Sequence, residues 1–317
     1  MREHDLMSLA TLAHRHPRIV DWGIRIDRFP AAAWLALQFA ALAPTWGWML
    51  RRMVDGSDDP LGLLALVALA ALAWQCRGEL RAAPRLGWLA LAGAGTLAAT
   101  VLRTGLGSLP ALPPLAAGLL AVLSLAAGLM AFLPRRVAAV PVVGLAVLAL
   151  PLLSSLQFYA GYPLRVVTAE ASRWLLAPGF EVAREGSTLL IDGRMVIVDA
   201  PCSGVQMVWL GYFTACAVAL WARRADRGFL ARLPLVGLAV LAGNIVRNSV
   251  LIACEGAGHP LAPWAHNALG LVVLALVCGA IARLMARERS GAGLDFVMRP
   301  VPGLITTQGG RRVDTAH

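Results

Sequence analysis

Three groups of polar residues in the second half of the sequence carry side chains suited to acyl-transfer chemistry. They are Cys202-Ser203-Gly204, Asn244-Ile-Val-Arg247-Asn248 and His266-Asn-Ala-Leu-Gly270. A cysteine attacks as its thiolate, and a histidine can take the thiol proton and return a proton to a leaving amine. Arginine stays protonated and can hydrogen-bond the oxyanion of a tetrahedral intermediate or hold a substrate carbonyl. A nucleophile, a base and an oxyanion donor together indicate acyl transfer.

Each residue also has a structural interpretation. A lone cysteine such as Cys202 usually packs, His266 can cap a helix, and Ser203 and Gly204 can form a cap and a close contact. Asn244 and Asn248 can hydrogen-bond neighbouring helices. We therefore assign these two asparagines, with Ser203 and Gly204, to substrate binding or support rather than catalysis.

The composition indicates the class of protein whose fold must position these residues. Of the 317 residues, 58% are hydrophobic and only 15% are charged, whereas about a quarter are charged in soluble domains. A soluble enzyme, a disordered chain and a coiled coil are excluded, and an all-α polytopic membrane protein remains. The net charge is +10 and every basic residue other than histidine is arginine. Because no aromatic-basic face is visible, we expect these arginines to meet a membrane surface and not nucleic acid.

Hydrophobic runs long enough to span a bilayer, at roughly 17–25 residues each, predict about eight transmembrane helices. The predicted spans are Ala31–Leu50, Leu61–Cys76, Leu86–Leu102, Leu115–Leu133, Val137–Ala160, Ser203–Ala222, Pro234–Cys254 and His266–Leu284. Residues 1–30 form a cytoplasmic or interfacial segment, residues 31–287 the membrane domain, and residues 288–317 a polar cytoplasmic tail.

Arginine counts predict the orientation. The N-terminal segment and the stretch after the last predicted span have five arginines each, and the second, fourth and sixth loops have three, two and four. The first loop has two, the third has one and the seventh has none. Because short cytoplasmic loops are rich in positive charge, both termini are predicted to be cytoplasmic. The long fifth loop, residues 161–202, then faces outward.

That outer loop has a pattern of its own. Val166–Leu176 could form a short amphipathic helix on the membrane. The stretch from Glu181 to Asp199 has two strand-forming runs on either side of Asp192-Gly193, which predicts a small β-hairpin that leads directly into Cys202.

The predicted orientation brings the three polar groups to one side of the membrane. Arg247 lies seven residues before Cys254, or roughly 10 Å below the outer end of its span. A charge at that depth costs several kcal/mol unless it is paired or hydrated, so it indicates a functional site. Asn244, three residues earlier, shares its helix face.

The order of these motifs resembles the exosortase/archaeosortase family. The resemblance rests on Cys202-Ser203-Gly204 at the start of one span, Asn244 to Arg247 in the next, and His266 to Gly270 at the start of the last. The strand-forming loop before Cys202 is also similar.

The resemblance implies a membrane-embedded cysteine peptidase or transpeptidase of a bacterial inner membrane, with its site on the extracytoplasmic side. Its substrates would be exported proteins with a C-terminal sorting signal, often containing Pro-Glu-Pro, and its product would pass to an unknown surface acceptor. Cys202 would attack, His266 would act as acid and base, and Arg247 would stabilise the oxyanion. Membrane lipid would be the other partner, and no metal or cofactor is implied.

Three alternatives remain. A membrane acyltransferase acting on lipid or polysaccharide could use the same cysteine and histidine. A transporter of polar solutes could use Asn244, Arg247 and Asn248, although it gives Cys202 no task. A membrane scaffold needs none of these residues.

Overall fold

The structure, a computed structural model, describes residues 30–56, 60–104, 112–198 and 203–287. These residues are mostly helical with one small sheet. The helices are α1 (Ala31–Ala41), α2 (Ala43–Val54), α3 (Gly62–Gln75), α4 (Leu86–Thr104), α5 (Pro114–Phe132), α6 (Ala139–Leu148), α7 (Leu153–Leu176), α8 (Val205–Trp221), α9 (Asp226–Leu230), α10 (Leu233–Gly256) and α11 (Pro263–Ala286), and the strands are β1 (Val182–Glu185), β2 (Thr188–Ile191) and β3 (Arg194–Ile197). Residues 1–29 and 288–317, which include most of the predicted terminal segments, lie outside the described residues.

Four spans among the described residues are long and apolar enough to cross a membrane: α4, α5, the continuous pair α9–α10 and α11. A fifth results if α6 and α7, which are bent by 94° at their junction, form one span. The apolar helices α1, α3 and α8 are shorter and coincide with three further predicted spans. The chain is therefore an integral membrane protein, and the part of it that the structure describes has four to five spans of full length.

The predicted span Val137–Ala160 is wrong as a single helix. Helix α6 ends at Leu148 and α7 begins at Leu153. Pro151 lies between them, and a proline lacks the backbone N–H that would continue the helix and disfavours helical geometry in the residue before it. The outer loop also begins later than predicted, because α7 continues to Leu176. Val166–Leu176 is thus the second half of a long helix and not a separate short one.

The predicted span Ala31–Leu50 is also interrupted. Helix α1 ends at Ala41, and α2 follows after Leu42 with Pro44 in its first turn. Pro44 has no N–H to donate to the preceding turn, so a new helix begins there.

The predicted hairpin is confirmed, and a third strand extends it. The three strands form an antiparallel sheet in the order β1-β2-β3. Asp192 and Gly193 connect β2 to β3 with φ angles of 46° and 79°, which is the left-handed geometry of a tight two-residue hairpin turn. The turn between β1 and β2 contains Gly186, also at positive φ.

One face of the sheet packs on α7 and α10. Leu189, Ile191 and Val196 are buried there, together with Ile252 of α10. A Cβ at Gly256 would approach Ile191 Cγ2 to 2.7 Å, so α10 can meet the sheet this closely only with glycine at its end.

Polar contacts hold the sheet to α7 as well. The Glu170 carboxylate accepts hydrogen bonds from Arg173 of the same helix and from Arg184 of β1. The sheet is thereby fixed above the ends of the helices that carry the polar motifs.

Helix α8 lies at the centre of the main core. Trp209 is fully buried, stacks on Phe213 with ring centroids 5.3 Å apart, and donates its indole N–H to the carbonyl of Leu148 in α6. Helix α8 also packs against α10 and α11. This packing fixes the start of α8, where the Cys-Ser-Gly motif ends.

Arginine-rich helix ends meet at the end of the molecule opposite the sheet. The N–H of Arg81, before α4, donates to the carbonyl of Phe132 at the end of α5. The carboxylate of Asp226 accepts from the N–H of Val140 in α6, and Arg224 Nε donates to the carbonyl of Met285 in α11. We call this end of the molecule the arginine-rich face.

Candidate active site

Helix α10 presents the first part of the site. Asn244 and Asn248 are one helical turn apart and both are buried, and the Asn248 side-chain amide donates to the Asn244 carbonyl at 2.9 Å. Arg247 lies between them on the adjoining face. The sequence prediction that Asn244 and Arg247 share one side of this helix agrees with these positions.

Helix α11 presents His266 directly to Arg247. Arg247 Nη2 lies 3.3 Å from His266 Nε2. A guanidinium can only donate, so this contact is a hydrogen bond in the tautomer of His266 whose Nε2 carries no proton. The two residues that the sequence paired are therefore in contact, 19 positions apart in the chain.

Gly270 lies one turn after His266, where Arg247 crosses α11. A Cβ at this position would come to 3.3 Å from Arg247 Nε. The absence of a side chain lets the guanidinium lie along α11. Arg247 Nε is buried and has no hydrogen-bond partner among the described residues, so one donor of the guanidinium remains to be used.

Gly204 positions the start of α8. Its φ is 83°, which lies in the left-handed region that other residues adopt only at a cost. A Cβ there would also approach Asn244 Cγ to 2.7 Å. Both observations require glycine at position 204. They also show that Gly204, at the start of α8, lies directly against the Asn244 side chain.

Ser203 is buried in this turn. Its hydroxyl donates to Gln157 Oε1 of α7 at 2.8 Å, and it accepts a 3.4 Å contact from the N–H of Val205. Ser203 thus connects the start of α8 to α7. Cys202, the residue before it, lies outside the described residues.

A cavity of about 520 Å³ opens where these elements meet. Gly204, Gln206, Arg247, His266, Asn267 and Gly270 form its polar part, and Met207, Leu210, Leu271 and Leu274 form its apolar part. The cavity therefore offers a cation, an imidazole and an amide beside a hydrocarbon wall. That combination suits a peptide bond adjoining an apolar segment.

Helix α7 supplies residues that the sequence analysis missed. Thr168 Oγ1 accepts from Asn244 Nδ2 at 3.2 Å, and Ser172 accepts from Ser249 of α10 at 2.9 Å. With Gln157 and Gly161 these residues follow a helical spacing along one face of α7. That spacing was the signal available, but residues 161–176 were assigned to a loop.

No group of three or more His, Cys, Asp or Glu side chains suited to a metal ion occurs within residues 30–56, 60–104, 112–198 and 203–287.

Comparison with known proteins gave one match. A family model described as transmembrane exosortase matches residues 48–283, about three quarters of the chain. The matched range contains every helix from α3 to α10, the whole sheet and all three polar motifs. Searches of curated proteins and of solved structures gave no match.

Proposed function

This chain belongs to the transmembrane exosortase family, and from that premise we propose that it is a cysteine peptidase or transpeptidase of exported proteins. It would cleave a C-terminal sorting signal of the Pro-Glu-Pro type and transfer the new carboxyl end to a surface acceptor. The observation that carries this proposal is the contact between Arg247 and His266 in one cavity with Gly204, two residues after Cys202.

In the first step, His266 takes the proton of the Cys202 thiol, and the thiolate attacks the scissile carbonyl carbon. Arg247 shifts its hydrogen bond from His266 Nε2 to the developing oxyanion. The shift frees the Nε2 lone pair for the proton at the moment when negative charge forms on the substrate oxygen. A guanidinium that already lies beside the reacting groups needs only this small shift to stabilise that charge.

In the second step, the tetrahedral intermediate collapses. The carbon–nitrogen bond breaks, the leaving amine takes the proton from His266, and a thioester joins the substrate to Cys202. An acceptor amine then attacks the thioester carbonyl and returns the thiol, whereas attack by water would release a free carboxylate. Gly204 and Asn244 support these groups by fixing α8 against α10, Ser203 does so by connecting α8 to α7, and Asn248 bonds to the Asn244 carbonyl.

The apolar wall of the cavity fits the rest of the signal. Leu271 and Leu274 on α11 face the cavity beside Arg247. A sorting signal places a transmembrane segment directly after its short motif. That segment can lie against α11 while the motif reaches His266.

We propose that the arginine-rich face is cytoplasmic and that the cavity opens on the extracytoplasmic side of the inner membrane. Support comes from Arg136, Arg224 and their neighbours at one end of the bundle, because cytoplasmic loops carry such charge.

We also propose that the shorter helices α1, α3 and α8 cross the membrane, which gives about eight crossings. Helix α8 packs along α10 and α11 and therefore occupies the same depth. Residues 31–287 form the membrane domain, with residues 1–30 and 288–317 on the cytoplasmic side.

The test compares protein C-termini in the native host. Cells that carry the wild-type chain are compared with cells that carry Cys202→Ala, and Cys216→Ala serves as a control because Cys216 is buried in α8. We expect a set of exported proteins to keep the C-terminal hydrophobic segment only in Cys202→Ala cells. Identical termini with altered lipid or polysaccharide would instead favour an acyltransferase, and normal processing by Cys202→Ala would refute the nucleophile assignment.

A further inference from the structure

A second polar cavity lies at the end of α8 that is remote from the candidate active site. Its volume is about 210 Å³. The end of α3, the start of α6 and the end of α8 line it, so it belongs to the arginine-rich face. Since α8 has 17 residues, the two cavities are separated by roughly 25 Å along its axis. The proposed acyl-transfer chemistry makes no use of this second cavity, which we call the arginine cavity.

The arginine cavity has an excess of positive charge. Arg136, Arg223 and Arg224 line it, and Glu79 is the one carboxylate among its lining residues. Glu79 forms an ion pair with Arg136, and this hydrogen bond, with the charge of Arg223, lowers the pKa of the Glu79 carboxyl. Arg224 Nε donates to the carbonyl of Met285. The three arginines that line the cavity thus outnumber its one lining carboxylate.

Arg223 is held in an unusual backbone conformation. Its φ is 51°, and besides Asp192 in the hairpin turn it is the single non-glycine residue at positive φ among those described. Glycine commonly fills the left-handed position after a helix, because it alone adopts that geometry without a Cβ penalty. The Arg223 guanidinium has no hydrogen-bond partner within the described ranges. An arginine at a glycine-type position, with no hydrogen bond to its guanidinium among the described residues, points to an anionic ligand at this cavity.

The rim of the arginine cavity is amphiphilic. Trp221, which lines it, is 83% exposed, and Leu72, Val137 and Leu220 add apolar surface. On the adjacent turn of α3, Trp74 is 68% exposed and lies under the Arg77 guanidinium at 4.3 Å. Exposed tryptophans beside arginines are typical of the boundary between lipid headgroups and acyl chains.

We propose that the arginine cavity binds the phosphate group of an anionic phospholipid from the leaflet at the arginine-rich face. Arg223 and Arg224 would contact the phosphate oxygens, as guanidinium groups do in charge-assisted pairs, and the acyl chains would lie along Trp221 and Leu220. Basic pockets between helices on this side of a membrane recognise such headgroups. The bound lipid would join α3, α6 and α8 at the end far from His266.

The test uses the purified full-length chain in neutral detergent. Its thermal unfolding is followed during titration with phosphatidylglycerol, with phosphatidylcholine and with inorganic phosphate. A ligand that binds the folded state alone raises the unfolding temperature in proportion to its saturation. We expect phosphatidylglycerol to stabilise the protein, and phosphatidylcholine and inorganic phosphate to have little effect.

Two variants make the test specific. Arg223→Gly removes the guanidinium but suits the left-handed backbone, so the lipid-free protein should fold normally. It should weaken phosphatidylglycerol binding about tenfold, the effect expected for loss of a charged hydrogen bond. Arg227→Gln removes a charge from the same face, at an exposed position of α9 outside the cavity lining, and should bind like the wild type.

Equal phosphatidylglycerol affinity in wild type and Arg223→Gly would overturn the proposal. An equal loss of phosphatidylglycerol affinity in Arg227→Gln would also overturn the proposal, because it would show that the whole arginine-rich face attracts the lipid and that no single site binds it. If inorganic phosphate stabilised the wild type as much as phosphatidylglycerol does, and this effect were lost in Arg223→Gly, the site would bind free phosphate and the proposal of a lipid ligand would be overturned. None of these outcomes depends on peptidase activity, so they leave the proposed function unaffected.

Discussion

Two clusters of polar side chains lie between the helices of this protein, and they differ in how their hydrogen bonds are used. In the N-terminal half, Gln38, Thr96 and Ser124 join α1, α4 and α5. Gln38 Nε2 donates to Thr96 Oγ1 at 3.2 Å and to the Ser124 carbonyl at 2.7 Å, and the Thr96 and Ser124 hydroxyls are 3.3 Å apart. These donors find their acceptors within the cluster.

In the C-terminal half, the cluster around Arg247 is charged and is not closed in this way. The Arg247 guanidinium contacts His266, but Arg247 Nε has no hydrogen-bond partner among the described residues. The presence of a cavity does not distinguish the two clusters, because a cavity of about 420 Å³ also adjoins Gln38 and Thr96. The difference lies in the charge and the unused donor. Neutral, mutually bonded groups hold helices together, whereas a partly buried cation beside a histidine, with a donor still unused, is arranged for a ligand.

The largest effect should come from removing Arg247 or His266. Arg247→Ala and His266→Ala should each lower the rate of signal cleavage by at least about 10³-fold, because each removes a group that acts in the transition state. Arg103→Ala is the matched control, since Arg103 is an arginine at the end of α4 that faces Trp48. It should leave the rate within about twofold. A comparable loss in Arg103→Ala would show that any membrane arginine is needed for folding.

A smaller but still large effect is expected for Arg247→Lys. The charge is kept, but an ammonium cannot donate to His266 and an oxyanion with the fixed geometry of a guanidinium. Cleavage should fall about 10²-fold, with the amount of membrane-inserted protein unchanged. Wild-type activity of Arg247→Lys would mean that only the charge matters, and would remove the oxyanion role.

Gln157 and Gln38 give a matched pair from the two regions. Gln157→Leu removes the acceptor of Ser203 and should lower kcat about tenfold, with an altered pH profile of Cys202 alkylation, because the start of α8 is no longer fixed. Gln38→Leu should destabilise the fold by about 1–3 kcal/mol, since it leaves the hydrogen-bonding groups around it unsatisfied. Its kcat and its alkylation profile should match the wild type.

If Gln157→Leu lowered only stability, Gln157 would belong with Gln38 as a structural residue. The kinetic readout is therefore needed beside the unfolding measurement. Gln157→Glu retains an acceptor oxygen and should recover part of kcat.

The smallest effects concern two glycines. Gly204→Ala should cost about 1–2 kcal/mol from the left-handed backbone alone, and the 2.7 Å approach to Asn244 adds to that. Gly93→Ala in α4 has nothing within 4 Å of the new Cβ and should stabilise its helix by about 0.5–1 kcal/mol. Thermal unfolding in the same detergent measures both. Opposite signs are predicted, and equal effects would contradict the steric account.

The sequence predicted the parts of the site whose signals are local. Asp192-Gly193 defined the hairpin turn, the spacing of Asn244 and Arg247 defined a helix face, and the cost of a buried arginine identified Arg247. The predicted orientation puts Arg247 and His266 on one side of the membrane, and the structure shows the two side chains in contact. Each of these inferences rested on the geometry of residues close together in the chain, or on the large free-energy cost of a charge inside the membrane.

The role of α7 could not be read in the same way. Gly161-Tyr162-Pro163 suggested the start of a loop, yet Pro163 lies inside α7 and the helix continues to Leu176. Its buried contacts with α10 and the sheet outweigh the missing backbone hydrogen bond. Thr168 was missed for that reason, whereas Gln157 lies in the predicted span Val137–Ala160 and was given no role there.

The central claim is that Cys202 forms a thioester beside Arg247 and His266. The most direct test is the intact mass of the purified enzyme after brief reaction with a sorting-signal peptide and an acid quench. We predict an adduct with the mass of the peptide's N-terminal fragment, located on Cys202, released by hydroxylamine and absent from Cys202→Ala. Formation of cleaved peptide with an adduct on another residue, or by the Cys202→Ala enzyme, would contradict the account.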